Sequence, residues 1–369
     1  MYQQRFDGIQ AWLRSSNLSA GLVTAPVSMK YLCGWSNPSK RFAGLLVPAS
    51  GQPVLVVPTL EREEASHSAV KMLRTWTDGT DPFAVVKEAL AEMGAAGMPM
   101  AVEKEAISLA VFEKVAGASG LTTSQFLAQV GDLTPVISNM REKKSEAEMA
   151  IMQRAADMVN PALDSVMKML KPGVTERQVA AVLEQAMLEA GAQGFAFDTH
   201  VLFGAKSAMP HGSTGDQVLE PGMVVLMDFG ALNEGYRSDI TRTVCLGEWS
   251  DEMAKVYDMV LAANRAAIAA TRPGVPAGEI DRAARSVIEQ AGYGEYFIHR
   301  TGHGLGIEIH EEPYAVGGNP KVLEVGHVFT IEPGIYIPGL GGVRIEDDVI
   351  VTPDGCKVLT TWTKERLSI

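Results

Sequence analysis

Two stretches of the chain read as apolar β-hairpins with an acidic residue on each arm, and few folds can accept that pattern. The first is VLMDFGALNEGYRSDITRT, Val225 to Thr243, in which Asp228 and Asp239 interrupt runs of Val, Leu, Met and Ile. Asn233 and Gly235 mark a turn. Centring it between Asn233 and Glu234 sets Asp228 opposite Asp239. The second stretch is FTIEPGIYIPGLGGVRIEDDVIV, with a turn at Pro338 to Gly342. Centring that turn on Gly339 sets Glu332 opposite Glu346. Opposed residues of antiparallel strands hold their Cβ atoms about 4.5–5.5 Å apart, and like charges there destabilise the pair. An isolated charge inside a protein is costlier still. Two such pairs call for shared protons or for cations.

Between the hairpins lies FIHRTGHGLGIEIHEEP, which places His299, His303 and His310 among glycines that allow close backbone approach. Four carboxylates with one imidazole form a hard, oxygen-rich ligand set. It suits Mn²⁺, Co²⁺ or Fe²⁺ better than a thiolate-rich site would, with Zn²⁺ also admitted, and Mn²⁺ is taken as the first expectation. Two divalent ions would balance four negative charges. A pair of ions about 3.5–4 Å apart can clamp a hydroxide and polarise a carbonyl, which is hydrolytic chemistry. His211, in SAMPHGS, lies in a loop just ahead of the first hairpin. His67, His200 and His327 read as surface or strand-end residues.

Composition bears on partners. A chain of 369 residues with 46% hydrophobic content can bury a large core and is read as two domains. A net charge of -12 argues against nucleic acid or an anionic membrane as partner. There is no apolar run of about 18 residues to cross a bilayer, and MYQQRFDGIQAWLRSS lacks the pattern of a secretory signal. Cys33, Cys245 and Cys356 are widely spaced and form neither a disulfide framework nor a zinc motif, so they are expected as reduced thiols in the cytoplasm.

Residues 1–125 alternate helical segments with short apolar runs such as AGLVTA, FAGLLVPA and QPVLVVP, the pattern of an α/β layer. Asp81 is placed as a helix cap with Gly94 as its stop. Residues 126–144 are read as a linker and 145–369 as the second domain. The capping boxes Ser145–Glu148 and Thr175–Gln178 open helices running to about Leu170 and Gly191. Further helices are expected near 251–271 and 277–292, amid strands.

The strings MDFGA, GYRSDITRT, GHGLG, HEEP, TIEPGIY and GGVRIEDD resemble the motifs of the pita-bread metallopeptidases, the family of methionine aminopeptidase, aminopeptidase P and prolidase. The α/β segment ahead of them is similar to the creatinase-like N-terminal domain of the proline-specific branch. The resemblance implies an α+β fold, a pita-bread domain preceded by a smaller α/β domain. It implies Asp228, Asp239, His303, Glu332 and Glu346 as ligands of two metal ions, with a bridging hydroxide as nucleophile and Glu332 as general base. His211 and His310 match histidines that contact the substrate carbonyl and its oxyanion, so they stand with Glu332 as catalytic. His299 and Arg344 match substrate-side and supporting positions, and Thr241 falls beside them. The implied activity is cleavage of Xaa-Pro bonds in a proline-containing peptide by a homodimer. Xaa-Pro dipeptidase is the first reading. The alternatives are aminopeptidase P and, more remotely, a non-catalytic binding protein of the same fold. Tyr314 stands where many prolidases carry an arginine for the substrate carboxylate. Arg41, in GWSNPSKRFAGLL, is expected to supply that clamp from the N-terminal domain of a partner subunit.

Overall fold

A computed structural model describes residues 1–369, which divide into two units, Met1–Arg141 and Glu142–Ile369. In the first, six strands form one sheet in the order Met72–Trp76, Val54–Pro58, Gly44–Pro48, Ala20–Val23, Met100–Val102 and Gly131–Asp132. The three strands Ala20–Val23, Gly44–Pro48 and Val54–Pro58 are buried throughout, which is why they read as unbroken apolar runs. The helix Tyr2–Ser15 buries Phe6, Ile9 and Leu13, one face at helical spacing. Pro82–Glu92 starts where the Asp81 carboxylate accepts from the N–H of Phe83.

Residues 126–144 are not a linker. They hold the end of the helix Thr123–Gln129, the edge strand Gly131–Asp132 and the helix Thr134–Glu142, and the units divide between Arg141 and Glu142. Local capping explains this. Thr122 and Gln125 close a capping box, and Asp132 accepts from the N–H of Thr134.

In the second unit the capping boxes at Ser145 and Thr175 open the helices Glu146–Asp157 and Glu176–Glu189. The first of these stops early, and a separate helix runs Val159–Met169. Pro161 is the cause, since it has no N–H to give the carbonyl four residues back, Asp157.

Each acidic hairpin is long and broken in the middle. In the first, Val224–Phe229 pairs with Ile240–Cys245 in one sheet, while its tip, Ala231–Asn233 with Tyr236–Arg237, belongs to another. The break falls at Gly230 and at Ser238–Asp239, where the arms cross so closely that a Cβ on Gly230 would lie 1.9 Å from the Ser238 carbonyl oxygen. In the second, the stem Val328–Ile331 with Asp347–Thr352 and the tip Gly334–Ile337 with Gly341–Arg344 lie in different sheets. Glu332 and Glu346 sit in that break, beside Pro333, which has no N–H for a ladder.

Packing holds the hairpins in place. Val159–Met169 and Glu176–Glu189 bury apolar residues with Val225, Met227, Phe229, Ile240 and Val244 of the first hairpin. Helices Asp251–Ala270 and Ala277–Gln290 do the same with Phe329, Ile331, Ile335, Val343 and Val349 of the second. The C-terminal residues run beside the first stem, where Cys245 donates to Leu367 and accepts from Ile369.

Candidate metal centre

The two hairpin breaks and the strand Gly302–Gly304 open on one cavity of about 530 Å³. Its walls bring together Asp228, Asp239, His303, Glu332 and Glu346, with His211, His299, His310 and Arg344 around them. The registers differ from the sequence expectation in one hairpin. Stem and tip of the second pair in the expected frame, which extends to Glu332 opposite Glu346. In the first, Asp228 faces Thr241 rather than Asp239. The turn is Glu234–Gly235, both with positive φ (49° and 87°), so the frame lies one residue further along than an Asn233–Glu234 turn gives.

Asp239 reaches the cavity because it stands in the break. Its N–H donates to an Asp348 carboxylate oxygen at 2.9 Å, and its own Oδ1 is buried with no hydrogen-bond partner. His303 has Nδ1 3.1 Å from the Gly304 carbonyl, which makes that nitrogen the N–H and leaves Nε2 as a lone pair. Nε2 points between Asp239 Oδ2 at 3.7 Å and Glu332 Oε1 at 3.4 Å. Glu346 accepts from the Thr241 hydroxyl at 2.6 Å, and that hydroxyl accepts from Arg344 Nε at 3.0 Å. Arg344 also donates to Asp228 at 2.5 Å and to the Tyr336 hydroxyl at 2.9 Å. Thr241 therefore links two of the acidic residues through one guanidinium.

The electrostatics describe a site short of positive charge. Burial pushes the Asp239 and Glu346 carboxyls well above the usual range, and the neighbouring carboxylates add to it. Burial takes Glu332 up to about 7 against the pull of Arg344. Burial likewise drives His303 down to about 3, so its imidazole is neutral and free to ligate. The ligand atoms of Asp239, His303 and Glu346 lie within 4.8 Å of one another. An orphaned carboxylate oxygen, an available imidazole lone pair and oxygen-rich surroundings fit a divalent cation.

The chain matches the family model for metallopeptidase family M24 over residues 150–353 and that for the creatinase/prolidase N-terminal domain over residues 5–143. The chain belongs to metallopeptidase family M24. Like others of the family it carries the pita-bread domain behind a creatinase-type domain, and it is a peptidase. It is 38% identical over 354 residues to an uncharacterized peptidase of Staphylococcus aureus, covering 95% of this chain and 97% of that one. Its fold superposes on an Xaa-Pro dipeptidase from Bacillus anthracis with a TM-score of 0.92 at 31% identity, covering all of both chains. An X-Pro aminopeptidase from Thermotoga maritima gives 0.86 at 33% identity, with 96% and 98% covered.

The surroundings of the other candidate residues in this M24 peptidase are as follows. His299 is held through both ring nitrogens. Its Nδ1 donates to the Arg300 carbonyl at 2.7 Å, its Nε2 accepts from Tyr336 at 2.8 Å, and burial lowers it to about 4. Arg41 donates to Asp78 within the N-terminal unit at 2.9 and 3.0 Å, an exposed pair. Tyr314 is not in the cavity wall; it stands under the guanidinium of Arg300, 4.5 Å from ring centre. His200 lines the cavity, because its strand His200–Phe203 sets it across from Asp228. His327 is fully buried by the chain at Lys143, which bridges to it. His310 is exposed, its ring edge-on to His303 at 4.3 Å. His211 is also exposed at the rim.

Sequence reasoning missed Arg300, Tyr336, Arg242 and Asp347. Arg242 donates to Asp347 at 2.7 Å and to the carbonyls of Thr241, Glu346, Trp362 and Thr363. Lys364 adds a second cation to Asp347 at 2.5 Å. The signal was a buried-strand arginine followed a hundred residues later by an extra aspartate in IEDD, which only pairing explains.

Proposed function

We propose that this peptidase is an Xaa-Pro dipeptidase that works with two divalent ions, Mn²⁺ foremost. The observation that carries the reading is the convergence of four carboxylates and one neutral imidazole at two strand breaks facing a single cavity. Asp228 would hold one ion, His303 and Glu332 the other, with Asp239 and Glu346 between them. Bound there, the ions would polarise the scissile carbonyl and make water a competent nucleophile near neutral pH.

The protein groups supply the rest. Glu332 takes the proton of the attacking water and returns it to the leaving nitrogen, general base and then general acid. His310 and His211, on the open side, donate to the carbonyl oxygen as charge builds on it. Arg344 and Thr241 keep Asp228 and Glu346 at fixed orientation by the bonds described above. The proline nitrogen has no hydrogen and its ring fixes φ, so a site that grips the carbonyl rather than that N–H accepts it. The likeness to the Bacillus anthracis dipeptidase over the whole chain supports the substrate class. That to the Thermotoga maritima enzyme keeps aminopeptidase P as the second reading. A cytoplasmic homodimer completes the proposal; three cysteines without a disulfide are in keeping with a reducing compartment.

The test strips metal with chelator, restores Mn²⁺, and compares an Xaa-Pro dipeptide with an Xaa-Pro-Yaa tripeptide. Preferred cleavage of the dipeptide is expected. Release of Xaa from the tripeptide at a higher rate would establish the aminopeptidase instead, and no cleavage of either would overturn both. Sedimentation at micromolar concentration checks the dimer.

A further inference from the structure

Among the residues lining the cavity there are two guanidinium groups, and only one is engaged. Arg344 is saturated by Asp228, Thr241 and Tyr336. Arg300 is half-buried, yet no carboxylate, carbonyl or hydroxyl of the chain bonds its guanidinium. Its side-chain contact is the face of Tyr314, 4.5 Å from the ring centre. A partly dehydrated cation without a hydrogen-bonded partner is unfavourable, and Arg300 acts on Glu332 through space with no direct bond to it.

The geometry around Arg300 is that of a held receptor. The Tyr314 ring supports the plane of the guanidinium by cation–π attraction and leaves the N–H edges free. The backbone on either side is fixed. The Arg300 carbonyl accepts from His299, and the Thr301 N–H donates both to the Asp281 carboxylate at 3.1 Å and to the Ala315 carbonyl at 3.0 Å. Two residues further on, His303 enters the metal centre. A planar fork of donors matches a carboxylate in two parallel bonds.

We infer that Arg300 binds the free α-carboxylate of the substrate, with Tyr314 as its positioning platform. The inference rests on the peptidase reading above and deepens it, because it makes the substrate class a short peptide whose C-terminus ends within the cavity. With Asp228, Asp239, Glu332 and Glu346 balanced by the ions they would hold, a carboxylate entering the cavity has the guanidinium of Arg300 left to meet. A longer peptide brings no charge to that point.

The test uses the Mn²⁺-loaded enzyme with Ala-Pro and its C-terminal amide, measuring kcat and KM separately. The wild type is expected to show a KM for the amide about tenfold to a hundredfold above that for the dipeptide, the range of one charge-assisted bond pair. In Arg300→Met the KM for the dipeptide rises by a similar factor and the ratio between the two substrates falls to near one. Arg300→Lys recovers part of the ratio. Tyr314→Phe keeps it, and Tyr314→Leu lowers it without removing the charge. A wild type that handles dipeptide and amide alike, or an Arg300→Met that slows both by the same factor or leaves their ratio intact, overturns the assignment. Failure of the wild type to cleave either substrate overturns the Xaa-Pro dipeptidase proposal and takes this one with it.

Discussion

Replacing Arg242 by methionine separates a scaffold of the metal centre from the centre itself. Arg242 and Asp347 are buried to within 1% of complete, and their side chains meet at 2.7 Å. Burial pushes the Asp347 carboxyl up, but Arg242 and Lys364 more than reverse it and hold it below the usual carboxylate range. Removing one partner of a buried pair costs about 3–5 kcal/mol. The four carbonyls that Arg242 also serves lose a donor, each worth about 1–3 kcal/mol if no water replaces it. These terms overlap, and Lys364 remains to neutralise Asp347, so a net loss of about 4 kcal/mol is expected. For a unit of this size that lowers the melting temperature by roughly 8–16 °C. Calorimetry on Arg242→Met, Asp347→Asn and the double variant reads the loss directly. The double variant should be more stable than the sum of the singles by about 2 kcal/mol. A shift in Arg242→Met under about 3 °C, or simple additivity in the cycle, would refute the argument that the pair is what holds Thr241 and Glu346.

Three further outcomes are expected. Thr241→Val takes a hydroxyl from between Glu346 and Arg344, and Mn²⁺ affinity measured by titration calorimetry should fall about 10- to 100-fold while Thr241→Ser stays near wild type; equal affinity in the valine variant would show the bond to be idle. Removing metal leaves buried carboxylates uncompensated, so saturating Mn²⁺ at a hundredfold its Kd should restore about 2.7 kcal/mol of stability, and a melting curve indifferent to chelator would contradict the site. Burial lowers His327 to about 4, within a group that also holds Lys144, Lys321, Lys143, Glu324 and a Glu142 carboxylate 3.8 Å away. The unfolded chain therefore binds the extra proton first: this contribution is complete above about pH 6.5 and is lost as pH falls toward 4, by at most about 3 kcal/mol. His327→Asn should flatten that part of the pH–stability curve, and an unchanged slope would place the acid sensitivity elsewhere.

Much of the site was legible because its ligands lie on hairpins whose apolar patterning is regular. Glu332 and Glu346 were framed correctly because Gly339 and its neighbours admit few turns. The turn between Asp228 and Asp239 was set one residue early, which shifts the pairing by two, because Glu234 takes a positive φ that sequence would assign to Asn233. The mistake cost little, since Asp239 reaches the cavity from the break and Asp228 from the ladder just before it, without standing opposite each other. Helix starts were readable wherever a capping box stood, at Ser145 and Thr175, whereas the interruption near Met158 needed Pro161 to be weighed against a strong periodic pattern. What the sequence could not reveal was pairing across more than a hundred residues. Arg242 looks like a strand residue, Tyr314 like a missing arginine and His200 like a strand end until the sheets are closed.

The clasp on Arg242 also has a bearing on the order of events during synthesis. The guanidinium finds two of its acceptors at Trp362 and Thr363, some 120 residues downstream, and Asp347 finds its second cation at Lys364. A nascent chain that has already formed both hairpins still lacks these contacts, and the strand bearing Thr241 has its neighbouring edge open until Leu367 and Ile369 arrive. The support beneath Thr241 and Glu346 is thus complete only once residues 362–364 have joined it.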